Sequence, residues 1–220
     1  MPETPPPSER NLNIGNQATI GGDVVGRDKI IYNLNIIQRT AAEEVAQTRD
    51  LERQRLAQGV SGFVQRLLAQ AEKKAGSGGP YKGLLEYRLS DSELFFGRER
   101  AIRDLMQNLG RGPLTVLHSE SGTGKTSLLQ AGISPRLIGA GHLPLYLRPY
   151  NVEPLLAIKR AFISDPSQTP ILAAAPLRDF LRQVSDVLGL QTTLYILIDQ
   201  FEELFTQLSE LERGEFIREL

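Results

Sequence analysis

The chain has no cysteine and no tryptophan, and only two histidines and two methionines among its 220 residues. Without thiols it holds no disulfide and no thiolate zinc site, and His118 and His142 are too few for a histidine-rich metal cluster. No window approaches 18 consecutive apolar residues, so no segment reads as a bilayer-spanning helix. Residues 1–10 carry neither a basic start nor an apolar run, as a secretory leader would. Neither charge sign dominates: 25 Lys and Arg against 26 Asp and Glu leave a net charge of -1. No global field therefore draws the chain to nucleic acid or to an anionic membrane. What remains is 40% hydrophobic and 23% charged, the composition of a chain with a real core, with a mean hydropathy of -0.22. A cytoplasmic setting is expected.

Five regions separate by composition. Proline-rich residues 1–10 read as an extended tail. Residues 11–37 are rich in Asn, Gly and β-branched residues, and Asn-Leu-Asn-Ile occurs at 11–14 and again at 33–36. That alternation, with turns at Gly15-Asn16, Gly21-Gly22-Asp23 and Gly26-Arg27-Asp28, predicts short strands. So small a β-rich segment cannot bury its own apolar face, and it either packs on the rest of the chain or pairs with other copies. Residues 38–75 read as helical. Val60, Phe63, Val64, Leu67, Leu68 and Ala71 follow helical spacing, the stripe over 41–57 (Val45, Leu51, Leu56) is weaker, and Gly59 is expected to interrupt the two. Gly76-Ser77-Gly78-Gly79-Pro80 reads as a hinge.

From 81 to 220 the pattern alternates strand and helix. Apolar strands are expected at 113–118, 143–148 and 193–198, with helices at 125–138, 152–162 and 176–188. Continuously apolar strands separated by helices predict a parallel sheet covered on both faces, a doubly wound α/β domain, and the glycine loop at 119–127 makes it one of the P-loop NTPase kind. The chain stops inside the helix after the third strand, so the sheet is expected to be truncated.

The site signal lies between the first strand and the first helix. Ser119-Glu120-Ser121-Gly122-Thr123-Gly124-Lys125-Thr126-Ser127 matches most of the phosphate-loop pattern. Gly122 and Gly124 let backbone N–H groups converge on phosphates. Lys125 supplies a compact cation, and the helix N-terminus adds its dipole. Thr126 would place its hydroxyl on Mg²⁺. Ser119 stands where the pattern has glycine, at a cost of about 1–2 kcal/mol if that position needs a left-handed backbone. Asp199, at the end of the apolar run 194–198, is the expected carboxylate on the metal side. Many ATPases follow that aspartate with a glutamate that orients the attacking water; here the neighbour is Gln200, which leaves Glu202 or Glu203 for the role. Both glutamates equally suit a solvated helix start. The Asn-Lys-x-Asp signature of guanine readers is missing, which favours ATP or ADP.

Three motifs then resemble the bacterial novel STAND NTPase family over about 80–220. They are Pro80-Tyr81-Lys82-Gly83-Leu84 with Asp91 and Phe95-Phe96-Gly97-Arg98-Glu99, the phosphate loop with Ser127-Leu128-Leu129-Gln130-Ala131-Gly132, and Asp199-Gln200-Phe201-Glu202-Glu203-Leu204-Phe205. The last is also similar to the acidic motif of NACHT ATPases. The resemblance implies that Gly97 and Arg98 lie near the adenine and ribose. It implies a switch with ATP, ADP and Mg²⁺ as cofactors, slow hydrolysis and nucleotide-controlled oligomerisation, often in antiphage defence. Self-association is expected through the N-terminal β and helical segments and the NTPase domain, with no membrane and no direct nucleic-acid partner. An assembly module in which nucleotide is merely structural is the alternative. A housekeeping P-loop enzyme is the third reading, and no basic substrate patch supports it.

Overall fold

The computed structural model describes residues 26–73, 81–148 and 153–219, with side chains from 42 onward except that of 207. The tail 1–10, residues 11–25 of the β-rich segment and the hinge 76–80 lie outside the described residues. Two compact units divide the chain, Met1–Asp50 and Leu51–Leu220. In the first, the described residues belong to the helix α1 (Gly26–Glu72), and the side chains of 42–50 are exposed. Residues 26–37, expected as strands, are therefore helical. Ile30, Leu34 and Ile37 stand at i, i+4 and i+7, a spacing that suits a helix as well as the four-residue alternation at 33–36 suits a strand.

The second unit begins within α1 and continues through α2 (Glu99–Leu109) to a helix α3 over residues 125–139. There follow β1 (Leu143–Leu147), α4 (Pro154–Arg160), α5 (Pro170–Ala174) and α6 (Leu177–Leu188). The described chain closes with β2 (Leu194–Ile198), α7 (Glu203–Gln207) and α8 (Glu210–Glu219). Within α3 the turns over Leu128–Ile133 are π-helical. Pro135 lacks an N–H for the ordinary ladder, and the Ser134 hydroxyl donates instead to the Leu129 carbonyl at 2.9 Å.

The strands β1 and β2 pair in parallel, from Leu143 opposite Leu194 to Leu147 opposite Ile198. Side chains alternate across a strand, so each face has its own core. Leu194, Ile196 and Ile198 join Leu145, Ile158, Phe162, Phe180 and Phe216 on one side. Tyr195 packs on the other with Ile102 and Leu105 of α2 and Ile133 and Leu137 of α3. A parallel sheet covered on both faces is thus present, as two strands. The third expected strand, 113–118, forms no strand and pairs with none among the described residues. Leu114 and Val116 are 82% and 79% exposed there. Apolar content alone does not make a strand; the ladder needs a neighbour.

The second half of α1 belongs to this core. Leu56, Val60 and Leu67 are buried and Phe63 stacks on Phe162 with ring centroids 5.0 Å apart, while Val45, Leu51 and Leu68 stay exposed. Gly59 does not interrupt the helix. It is the point of closest approach, where a Cβ would sit 1.8 Å from the Phe162 carbonyl oxygen. Two turns earlier the buried carboxylate of Glu52 accepts the Ile171 N–H at 3.0 Å and the Leu172 N–H at 2.8 Å. These are orphan donors at the start of α5, so α1 supplies that helix with its N-terminal cap. Glu52→Ala is expected to lower stability by about 2–4 kcal/mol, because two buried N–H groups lose a charged acceptor together. A urea melt of the variant checks it.

Candidate functional site

The glycine loop lies between segment 113–118 and α3. Gly122 and Gly124 have φ of +79° and +85°, values that side chains disfavour, and Gly124 is the N-cap of α3. Ser119 has no positive φ, so the strain considered for it does not arise. Its hydroxyl lies 2.6 Å from that of Thr123, which in turn donates to the Glu120 carbonyl at 2.8 Å. Ser121 is exposed at the turn. Lys125 folds back over the loop and donates to the carbonyls of Ser119 at 2.7 Å and Glu120 at 2.9 Å. Its ammonium is thereby centred in the loop by neutral acceptors that an anion can displace. Ser127 is buried and its Oγ accepts the Tyr87 N–H at 3.0 Å, which ties the segment before α2 to the loop.

Asp199 meets this loop from the sheet. Alternation along β2 places it on the α3 face with Tyr195 and Leu197, and its N–H donates to Leu147 O at 2.9 Å. Its carboxylate is buried, 3% exposed. Oδ2 accepts the Thr126 hydroxyl at 2.6 Å and the Tyr146 hydroxyl at 2.7 Å; Oδ1 accepts the Gln200 N–H at 3.1 Å. Burial first, and the bond to Asp199 second, push the Tyr146 phenol up, so it stays a donor throughout the ordinary pH range.

Two further pieces reach the same place. Gly97, φ +79°, turns the chain so that the Arg98 guanidinium donates to the Thr123 carbonyl at 2.6 Å, while Glu99 accepts the Gly97 N–H at 2.9 Å. Arg98 is therefore beside the loop, with Gly97 next to it in the chain. Upstream, buried Asp91 accepts Lys82 and the Arg88 N–H. Burial alone would raise its carboxyl, but Lys82 and Arg88 together hold it below the usual value. On the other side of the site, Glu202 is exposed, whereas Glu203 at the start of α7 has a buried Oε2 with no hydrogen-bond partner among the described residues.

Tyr146 and Arg148 belong to no motif in the sequence, yet the structure brings them to this site. They stand two apart at the end of an otherwise aliphatic strand, a polar pair on one face that could have marked it as facing a site. Gln200 was noted only as a departure from a motif; its amide oxygen accepts Arg148 Nε at 2.6 Å.

These residues suit a nucleotide and a hard cation. No cluster of three acidic or histidine ligands occurs among the described residues, but Mg²⁺ on a nucleotide takes most of its oxygens from phosphates and water. One hydroxyl and one carboxylate, Thr126 and Asp199, already touch. A family model described as Novel STAND NTPase 1 matches residues 80–220. The match spans well over half of the chain, which belongs to this family of nucleotide-binding signalling NTPases. No curated protein and no solved structure matches the chain significantly. No described helix is long and apolar enough to cross a membrane.

Proposed function

We propose that this chain is an ATP-binding switch with a P-loop fold, in which the 119–127 loop cradles the phosphates. Thr126 and Asp199 hold Mg²⁺, and Arg98, beside Gly97, lines the approach to the nucleotide. The observation that carries this reading is the 2.6 Å bond between Thr126 and Asp199, two residues 73 positions apart. A hydroxyl at the second residue of a helix, meeting a buried carboxylate at a strand end, is what a magnesium nucleotide requires.

Bound Mg²⁺ supplies charge neutralisation at the phosphates. The chain does the rest. Lys125 exchanges its two carbonyl acceptors for phosphate oxygens, gaining charge on both partners. The N–H groups around Gly122 and Gly124 and at the start of α3 would supply further donors to the same anion. Tyr146 keeps the Asp199 carboxylate turned toward Thr126. Glu203 is better suited than Glu202 to orient a water, because its buried oxygen still has acceptor capacity to use. Hydrolysis is slow on this reading, and exchange of ADP for ATP controls self-association in a cytoplasmic, bacterial defence setting. The family and the site support the nucleotide step; the N-terminal segments are the proposed assembly elements.

The test is equilibrium binding of ATP to wild-type and Lys125→Ala protein. Loss of the Lys125 ammonium, held within the loop on the Ser119 and Glu120 carbonyls, is expected to weaken binding at least about tenfold, near 1.4 kcal/mol. Unchanged affinity would place the nucleotide elsewhere. A Glu202→Gln, Glu203→Gln double variant is expected to keep ATP and lose turnover. Retention of the parent hydrolysis rate would exclude both glutamates from the role.

A further inference from the structure

Gln200 is the one non-glycine residue with positive φ among the described residues, at 55°. A left-handed backbone costs an ordinary residue about 1–2 kcal/mol, and glycine would remove that cost. Strain of this kind persists where the side chain is used. The side chain here is held: Oε1 accepts Arg148 Nε at 2.6 Å, a charge-assisted bond. Arg148 directly follows β1 and Gln200 lies two residues after β2. The parallel register, with Leu147 opposite Ile198, therefore places both at the carboxyl end of the sheet. Asp199 and Thr126 meet at that same end. Arg148 is also two residues from Tyr146, whose hydroxyl it influences electrostatically while that hydroxyl bonds Asp199.

Resting on the nucleotide reading of this site, we propose that Arg148, positioned by Gln200, distinguishes a nucleoside triphosphate from a diphosphate. The planar guanidinium is suited to phosphate oxygens, and a triphosphate brings a further anionic group to the junction of Thr126 and Asp199. A cation placed there gains more from the triphosphate than from the diphosphate. Gln200 links this recognition to the rest of the turn. Its N–H bonds Asp199 Oδ1, and its carbonyl accepts the Glu203 N–H at 2.9 Å at the start of α7. A shift of Arg148 onto phosphate thus reaches α7 through a single residue that is already strained.

The experiment is equilibrium titration of the full protein with Mg²⁺-ADP and with the slowly hydrolysed analogue Mg²⁺-ATPγS, for wild type, Arg148→Ala and Gln200→Gly. Arg148→Ala is expected to weaken ATPγS about tenfold or more and to leave ADP within about threefold. Gln200→Gly relieves the backbone, so it is expected to fold at least as stably as wild type and still lose discrimination in the same direction. Equal weakening of both nucleotides in Arg148→Ala, or a wild-type ratio in Gln200→Gly, overturns the proposal while the nucleotide reading stands. A folded wild-type protein that binds neither nucleotide overturns both.

Discussion

Gly59→Ala is expected to cost more than about 3 kcal/mol, since its added methyl meets the tightest backbone contact among the described glycines. The added Cβ would stand 1.8 Å from the Phe162 carbonyl oxygen and 2.9 Å from its carbonyl carbon. Both are backbone atoms, so no side-chain rotation relieves the clash. Phe162 is itself fixed, buried between Phe63 and Phe180 with ring centroids 5.0 and 6.3 Å away. To accept the methyl, α1 must lift off the core, which separates Leu56 and Val60 from it and weakens the cap that Glu52 gives α5. The same helix contains its own control. At Gly62 a Cβ would meet only the Arg66 guanidinium at 3.2 Å, the movable end of a long side chain. Gly62→Ala is therefore expected to stabilise by about 0.5–1 kcal/mol, the ordinary gain of alanine over glycine in a helix. Parallel denaturant melts that gave the two variants the same sign would contradict the packing described for α1.

Asp199→Asn is expected to remove Mg²⁺-dependent nucleotide binding while leaving the fold largely intact. Its carboxylate accepts three hydrogen bonds at the centre of the site. An amide of the same shape keeps part of this network, because the hydroxyls of Thr126 and Tyr146 can rotate to accept. It cannot keep the negative charge, which is what a divalent cation needs from a site with so few protein ligands. Affinity for ATP in Mg²⁺ is expected to fall at least about tenfold, and any hydrolysis by about a hundredfold or more. Tyr146→Phe retains the charge and loses one donor, so its effect should be the smaller of the two. A Tyr146→Phe loss equal to that of Asp199→Asn would mean that orientation, not charge, dominates.

Where the backbone's needs are local, the residues could be read directly. Gly122 and Gly124 are glycines because φ is positive there, and Lys125 and Thr126 open a helix where the pattern places them. The runs at 143–147 and 194–198 became strands because each found the other as a partner. The segment 113–118 also carries apolar residues at Leu114, Val116 and Leu117, yet has no described neighbour to pair with, and a local pattern contains no information about that. Gly59 failed for the same reason in reverse. A glycine within a helix looks like a break until Phe162, far along the chain, is seen against it. The strained Gln200 and its bond to Arg148 depend on two strand ends lying side by side, so neither residue could be assigned a role from spacing alone.

If Thr126 and Asp199 form the Mg²⁺ end of a nucleotide site, the metal dependence of ATP binding must run through both residues. ATP is titrated into the full protein in the presence of Mg²⁺ and again with the metal chelated, for wild type, Thr126→Ala and Asp199→Asn. Mg²⁺ is expected to strengthen binding in wild type, and this strengthening is expected to disappear in both variants. Binding that ignores Mg²⁺ in wild type, or a full Mg²⁺ effect in either variant, would contradict it.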